Sequence, residues 1–307
     1  MNKQCIKFDE LYSRLMLNRS TLKRAFGSSS SSSNNNNNNK TRKKKTRQKA
    51  KKDSNNVITS RKLKILCLHG YEQNIDSFRK KTGSLRRAGK SHVSEFVFLD
   101  APHNALVRDG ADEAAGNYAW YLPQTINNDD TMPKFFEDDS QSNDDSSKSS
   151  RSWSLPLDES TWHASLEHIG KCFKEQGPFD GVFGFSQGAA TAAALCQLQM
   201  AKNLKQPLNF IDFKFAIFIS GFIPSHGLYI GNEDIDTSMP LSKFNSLHIS
   251  GKTDEIIKPI RSKALVNKFS NNNNQHVEHS GGHLVPSEKH VRDALKEFLK
   301  IQRDNLG

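Results

Sequence analysis

The segment Gly184-Phe185-Ser186-Gln187-Gly188 sets a serine two residues from a glycine on either side. An apolar run, Gly181–Phe185, leads into it, and the small residues Ala189, Ala190, Ala192, Ala193 and Ala194 follow. This is the context of a nucleophile elbow, a sharp strand-to-helix turn that exposes a serine hydroxyl above a sheet. The turn crowds its own backbone, so the positions two before and two after the serine must be small. Ser186 would then stand at a helix N-terminus, where the dipole favours developing negative charge. The five-residue motif arises often by chance; strand, turn and small-residue helix together give it weight.

A serine nucleophile needs a base, and the base an orienting carboxylate. On a strand–elbow–helix scaffold these follow in the order serine, acid, histidine. Asp254 comes shortly after the strand-like Ser246–Ser250 and fits the acid. Glu255 is adjacent but out of phase, and Asp234 and Asp236 have no strand before them. His283, in His-Ser-Gly-Gly-His, follows two glycines that permit close approach and precedes a C-terminal helix. His276 and His279 are its rivals. The oxyanion needs two backbone N–H groups. Gln187, after the nucleophile, would supply one, and Tyr71, in the His69-Gly70-Tyr71 loop after the first strand, the other; alone, that tripeptide is an ordinary glycine turn.

Strands are expected at Leu63–Leu68, Ser94–Leu99, Gly181–Phe185, Phe215–Ile219, Ser246–Ser250 and near Val277. Helices are expected at Asn74–Leu85, Thr161–Gln176, Gln187–Lys202, Arg261–Phe269 and Glu288–Ile301. Strands apolar on both faces, alternating with helices, indicate an α/β fold with a mostly parallel sheet covered on both sides.

The chain has 307 residues, 44 Lys/Arg against 33 Asp/Glu, and a net charge of +11. Residues 1–60 hold 15 of those cations and 3 of the acids, leaving 29 and 30 for residues 61–307. The excess is therefore local, and a basic nucleic-acid footprint on the folded part is excluded as its source. Residues 1–56, with Ser28–Ser33, Asn34–Asn39 and the basic run Lys40–Lys52, read as a disordered tail. The run is either a solvated charge run or a contact for a polyanion or import receptor. Residues 57–307 read as one domain, interrupted by a low-complexity acidic insertion at 127–151 and by Asn271–Asn274. Cys5, Cys67, Cys172 and Cys196 form no Cys-x-x-Cys pair, so neither a disulfide framework nor a zinc site is expected. Cys67 and Cys196 read as small buried hydrophobes. The most apolar stretch, Leu208–Pro224, is broken by Asp212 and Lys214, so no membrane span is expected. Asp9 and Glu10 argue against a mitochondrial presequence, and no secretory apolar region opens the chain. A cytoplasmic location is expected, with the nucleus as a further one through the basic run.

The blocks LCLHGYEQN, FLDAPH, GPFDGVFGFSQGAA, FAIFISGF, LHISGKTDEII and HSGGH, in this order, resemble the FSH family of serine hydrolases over about Lys62–Leu299. The resemblance implies an α/β-hydrolase fold and a carboxylesterase or thioesterase acting through Ser186, Asp254 and His283, without a cofactor. The partner it implies is a small acyl ester or thioester. The acidic insertion falls where this family shapes its pocket. His103, after the second strand, and Trp120 and Tyr121, beside the insertion, are candidate pocket residues, with Tyr118, Trp153 and Leu155 nearby; aromatic packing under a long loop is the alternative. A non-catalytic binding protein on the same fold is the remaining alternative.

Overall fold

The computed structural model describes residues 61–105, 116–123, 158–201, 211–223, 241–269 and 274–306. The tail 1–56, its basic run, the acidic insertion 127–151 with Trp153 and Leu155, Cys5, Asp234, Asp236 and Asn271–Asn273 lie outside the described residues.

Six strands form one sheet: β1 (Leu63–Leu68), β2 (Val93–Leu99), β5 (Gly181–Phe185), β6 (Phe215–Ile219), β7 (Asn245–Gly251) and β8 (Asn274–His279). Two short strands, β3 (His103–Asn104) and β4 (Tyr118–Ala119), pair antiparallel beside it. The order in the large sheet is β2-β1-β5-β6-β7-β8, and every pairing in it is parallel. The helices are α1 (Ile75–Lys81), α2 (Gly83–Gly89), α3 (Glu159–Gln176), α4 (Gln187–Ala201), α5 (Pro259–Lys268) and α6 (Lys289–Asp304).

A parallel sheet must hide both faces, and the strands show it in their alternation. Leu66, Leu68, Val182, Ala216 and Phe218 point into one core, with Trp162, Ile169 and Phe173 of α3, Ala189 and Ala192 of α4 and Leu265 of α5. The intervening Ile65, Cys67, Phe183, Phe185, Ile217 and Ile219 enter the other, with Phe78 of α1, Leu85 of α2 and Val291, Leu295, Phe298 and Leu299 of α6. Cys67, Cys172 and Cys196 are buried free thiols, and burial pushes each of them up in pKa.

The stretch expected as one helix, Asn74–Leu85, is two. Asn74 caps α1 in a reciprocal box with Ser77, accepting the Ser77 N–H at 2.9 Å. At the junction the Thr82 hydroxyl donates to Phe78 O at 2.8 Å, and Gly83 follows, so helix continuation is weakened just there. The β3–β4 pair carries no sequence signal of its own; two-residue strands are too short for periodicity to register.

The chain runs from β1 outward to β2 and then returns to β5 on the other side of β1. At such a reversal the loops beyond the carboxyl ends of the two central strands diverge and leave a crevice. The β1 loop with Tyr71 and the β5 elbow with Ser186 both open there.

Candidate active site

Ser186 sits between β5 and α4 with φ +51°, the left-handed region that costs a non-glycine residue about 1–2 kcal/mol. Its two flanking glycines explain how the strain is held. A Cβ on Gly184 would stand 2.3 Å from Gly188 O, and one on Gly188 2.2 Å from Leu68 O and 2.4 Å from His69 O. The first contact is the elbow folding onto itself. The second presses the start of α4 against the end of β1, which brings the His69-Gly70-Tyr71 loop to the serine. A Cβ on Gly70 would lie 3.3 Å from the Ser186 Cβ.

From the other side, His283 Nε2 lies 2.9 Å from Ser186 Oγ, and His283 Nδ1 lies 2.8 Å from Asp254 Oδ2. The Asp254 carboxylate is 2 % exposed and fully engaged. Ser220 Oγ donates to Oδ2 at 2.8 Å; the Ile256 and Ile257 N–H groups donate to Oδ1 at 3.1 and 2.8 Å. Burial pushes this carboxyl up. The His283 hydrogen bond and charge, with the Ile257 N–H and Ser220 hydroxyl, outweigh burial and hold it below the ordinary carboxylate range. Serine, imidazole and ionised carboxylate thus form one connected line, drawn from the ends of β5, β7 and β8. Glu255 is exposed, and His276 lies within β8 with its Nε2 2.8 Å from Ser250 Oγ, so neither joins the line.

Gln187 has a side-chain role that the sequence did not suggest. Its Oε1 accepts the Trp120 N–H at 2.9 Å and its Nε2 donates to Tyr121 O at 2.8 Å, tying the chain after β4 to the first residue of α4. Trp120 is fully buried, with its indole N–H on His69 O at 2.8 Å. It braces the loop carrying Tyr71 from within the core and presents no face to solvent. His69 does the same from its own ring: Nε2 accepts the Ala101 N–H at 3.0 Å, so the proton sits on Nδ1, which donates to Gly70 O at 2.7 Å. Burial outweighs the Gly70 carbonyl and Asp100 and lowers its pKa, keeping the ring neutral. His103 is engaged structurally, its Nε2 2.7 Å from Thr161 O. Tyr121 is half-buried, edge-on to Trp162 at 6.4 Å, and burial pushes its phenol up. Ser220 also serves the site without having been expected there; its signal in the sequence is the Ser-Gly pair closing the apolar run Phe215–Ile219. No helix among the described residues is long and apolar enough to cross a membrane.

Residues 58–295 match the family described as serine hydrolase (FSH1). The chain is 36% identical over 242 residues to esterase OVCA2 of Danio rerio, covering 78% of this chain and 96% of that protein. It is 32% identical to esterase OVCA2 of Homo sapiens, with 78% and 96% covered. Among solved structures it is similar to acyl-protein thioesterase 2 of Zea mays, at TM-score 0.51 and 18% identity, covering 80% of this chain and 95% of that one; the likeness is one of fold, the α/β-hydrolase fold.

Proposed function

The chain belongs to the serine hydrolase (FSH1) family, and on that premise we propose that it is an esterase cleaving carboxylic esters through an acyl-enzyme on Ser186. The observation that carries the reading is the line Ser186 Oγ–His283 Nε2, 2.9 Å, continued by His283 Nδ1–Asp254 Oδ2, 2.8 Å. His283 takes the Ser186 proton as Oγ attacks the acyl carbonyl. Asp254 keeps the imidazole proton on Nδ1 and stabilises the imidazolium that forms. The tetrahedral oxyanion is received by the Tyr71 and Gln187 N–H groups, the second at the positive end of α4. His283 then gives its proton to the departing alcohol. It activates water to release the acid. Nothing in this sequence of steps requires a cofactor. Tyr121 is joined to Gln187 through its backbone carbonyl.

The test is turnover of an acyl-chain series, oxygen esters beside matching thioesters, by the wild-type chain and Ser186→Ala. The wild type turns over a subset, and Ser186→Ala loses about four to six orders of magnitude in kcat. Near-full activity in the mutant would remove Ser186 from the mechanism. A preference for the thioesters would move the assignment to a thioesterase on the same site.

A further inference from the structure

His279 ends β8 and is 1 % exposed, yet it takes no part in the Ser186–His283–Asp254 line. Its ring meets the loop that carries the base. Gly281 N–H donates to His279 Nδ1 at 3.2 Å. A nitrogen that accepts carries no proton, so the proton of the neutral ring is on Nε2. That atom is buried with no hydrogen-bond partner among the described residues. A buried N–H left without a partner is costly, and a hydrocarbon of similar size would avoid the cost. What a hydrocarbon cannot do is accept from Gly281.

Gly281 is held from its other side as well. Its carbonyl accepts the Thr253 N–H at 3.3 Å, one residue before Asp254, while Lys252 N–H donates to His279 O at 2.9 Å. The approach is close enough that a Cβ on Gly251 would stand 2.4 Å from both Gly281 O and Gly282 O and 3.0 Å from the His279 Cε1. The His279 ring and the acid-bearing loop therefore grip Gly281 between them, two residues before His283.

We propose that His279 is a positioning residue that sets His283 against Asp254 and Ser186 by holding the Gly281 N–H on its unprotonated Nδ1. This rests on the hydrolase reading above. The groups facing the ring are Asp254, from the loop after β7, and Glu288 and His290, at the start of α6. Burial outweighs the two carboxylates and holds the imidazole below the ordinary histidine range. At neutral pH the acceptor is therefore bare. As pH falls through the lowered value, Nδ1 gains a proton, the Gly281 bond is lost and the base loses its place.

The experiment compares the full-length wild type, His279→Asn, His279→Leu and Ser186→Ala on a soluble short-chain nitrophenyl ester, from pH 4 to 8, with thermal unfolding alongside. The asparagine keeps a carbonyl acceptor and cannot titrate. His279→Asn retains kcat within about threefold at pH 8, and its rate relative to the wild type does not decline toward pH 4. His279→Leu loses about 10- to 100-fold in kcat with KM nearly unchanged, the size expected of a displacement approaching 1 Å at the base. A leucine variant with wild-type kcat, or a folded asparagine variant as slow as the leucine, overturns the proposal. If His279→Leu does not fold, His279→Ala, which also removes the acceptor, takes its place. Turnover surviving in Ser186→Ala overturns instead the hydrolase reading beneath it, and it shows without any change at His279.

Discussion

Replacing Asp254 by asparagine isolates the orienting carboxylate, and the structure dictates which way the amide must face. Oδ1 accepts two backbone N–H groups, from Ile256 and Ile257, so only the amide oxygen fits there. The amide nitrogen must take the place of Oδ2, 2.8 Å from both Ser220 Oγ and His283 Nδ1. The Ser220 hydroxyl can turn to accept. His283 Nδ1 must accept too, which moves the ring proton to Nε2, 2.9 Å from Ser186 Oγ. The base then donates to the serine it should deprotonate. The expected loss is about 10⁴ in kcat, or about 5.4 kcal/mol of barrier. KM should change little, because Asp254 is buried behind the imidazole. Steady-state kinetics on a chromogenic ester from pH 5 to 9, with thermal unfolding as the control for folding, measures it. Ser220→Ala supplies the contrast, since it removes one donor and leaves the tautomer unaltered; its loss should stay within about tenfold. A loss below tenfold in Asp254→Asn would hand the role to another carboxylate. Equal losses in the two variants would refute the tautomer argument itself.

The same carboxyl links pH to stability. Its folded pKa is depressed, so its contribution is present above the unfolded value of about 3.9 and is lost as pH falls through the lower folded value; Asp254→Asn should flatten that part of an acid-unfolding curve. Gly184→Ala puts a methyl 2.3 Å from Gly188 O and 2.5 Å from the Ala189 Cα, both backbone, so the elbow itself must shift. It should cost about 10²-fold or more in kcat, and fluorophosphonate labelling of Ser186 at the wild-type rate would contradict it. The run Lys40–Lys52 holds nine Lys/Arg. If it grips a polyanion, heparin binding by the full chain should fall with salt on a log–log slope of several, at most about −8. Neutralising those nine residues should abolish the binding and leave ester turnover unchanged; salt-insensitive binding would exclude the run as the contact.

The inner strands were legible because each is an apolar run with a turn signal after it: Leu63–Leu68, Gly181–Phe185 and Phe215–Ile219 are present over those very residues, whereas the polar edge strand Asn274–His279 was placed only near Val277. Ser186, Asp254 and His283, the residues proposed as nucleophile, acid and base, were singled out for a different reason. Each chemical role needs a residue type in a local context, an elbow, a post-strand loop or a glycine-softened loop before a helix, and those contexts are written over five to ten residues. The choice of Asp254 over Glu255, and of His283 over His276 and His279, followed from the same contexts.

Whatever depends on which distant backbone groups meet was decided only in three dimensions. Ser220, 34 residues before Asp254, becomes its hydrogen-bond donor because β6 and β7 are neighbours in the sheet. Trp120 reads in the sequence as an aromatic beside a long loop, but the folded chain puts its indole N–H on His69 O, 51 residues away, and removes it from the cleft. The Gln187 side chain, 67 residues from Trp120, holds the same segment. His279 appears in the sequence only as a rival base; the close packing of Gly251 against Gly281 and Gly282 sets it beside the loop that carries His283. Hydrophobic alternation and turn chemistry act over a few residues and survive in any reading of the chain. Long-range hydrogen-bond partners are chosen by strand order and by backbones approaching within about 3 Å, and no local pattern encodes either.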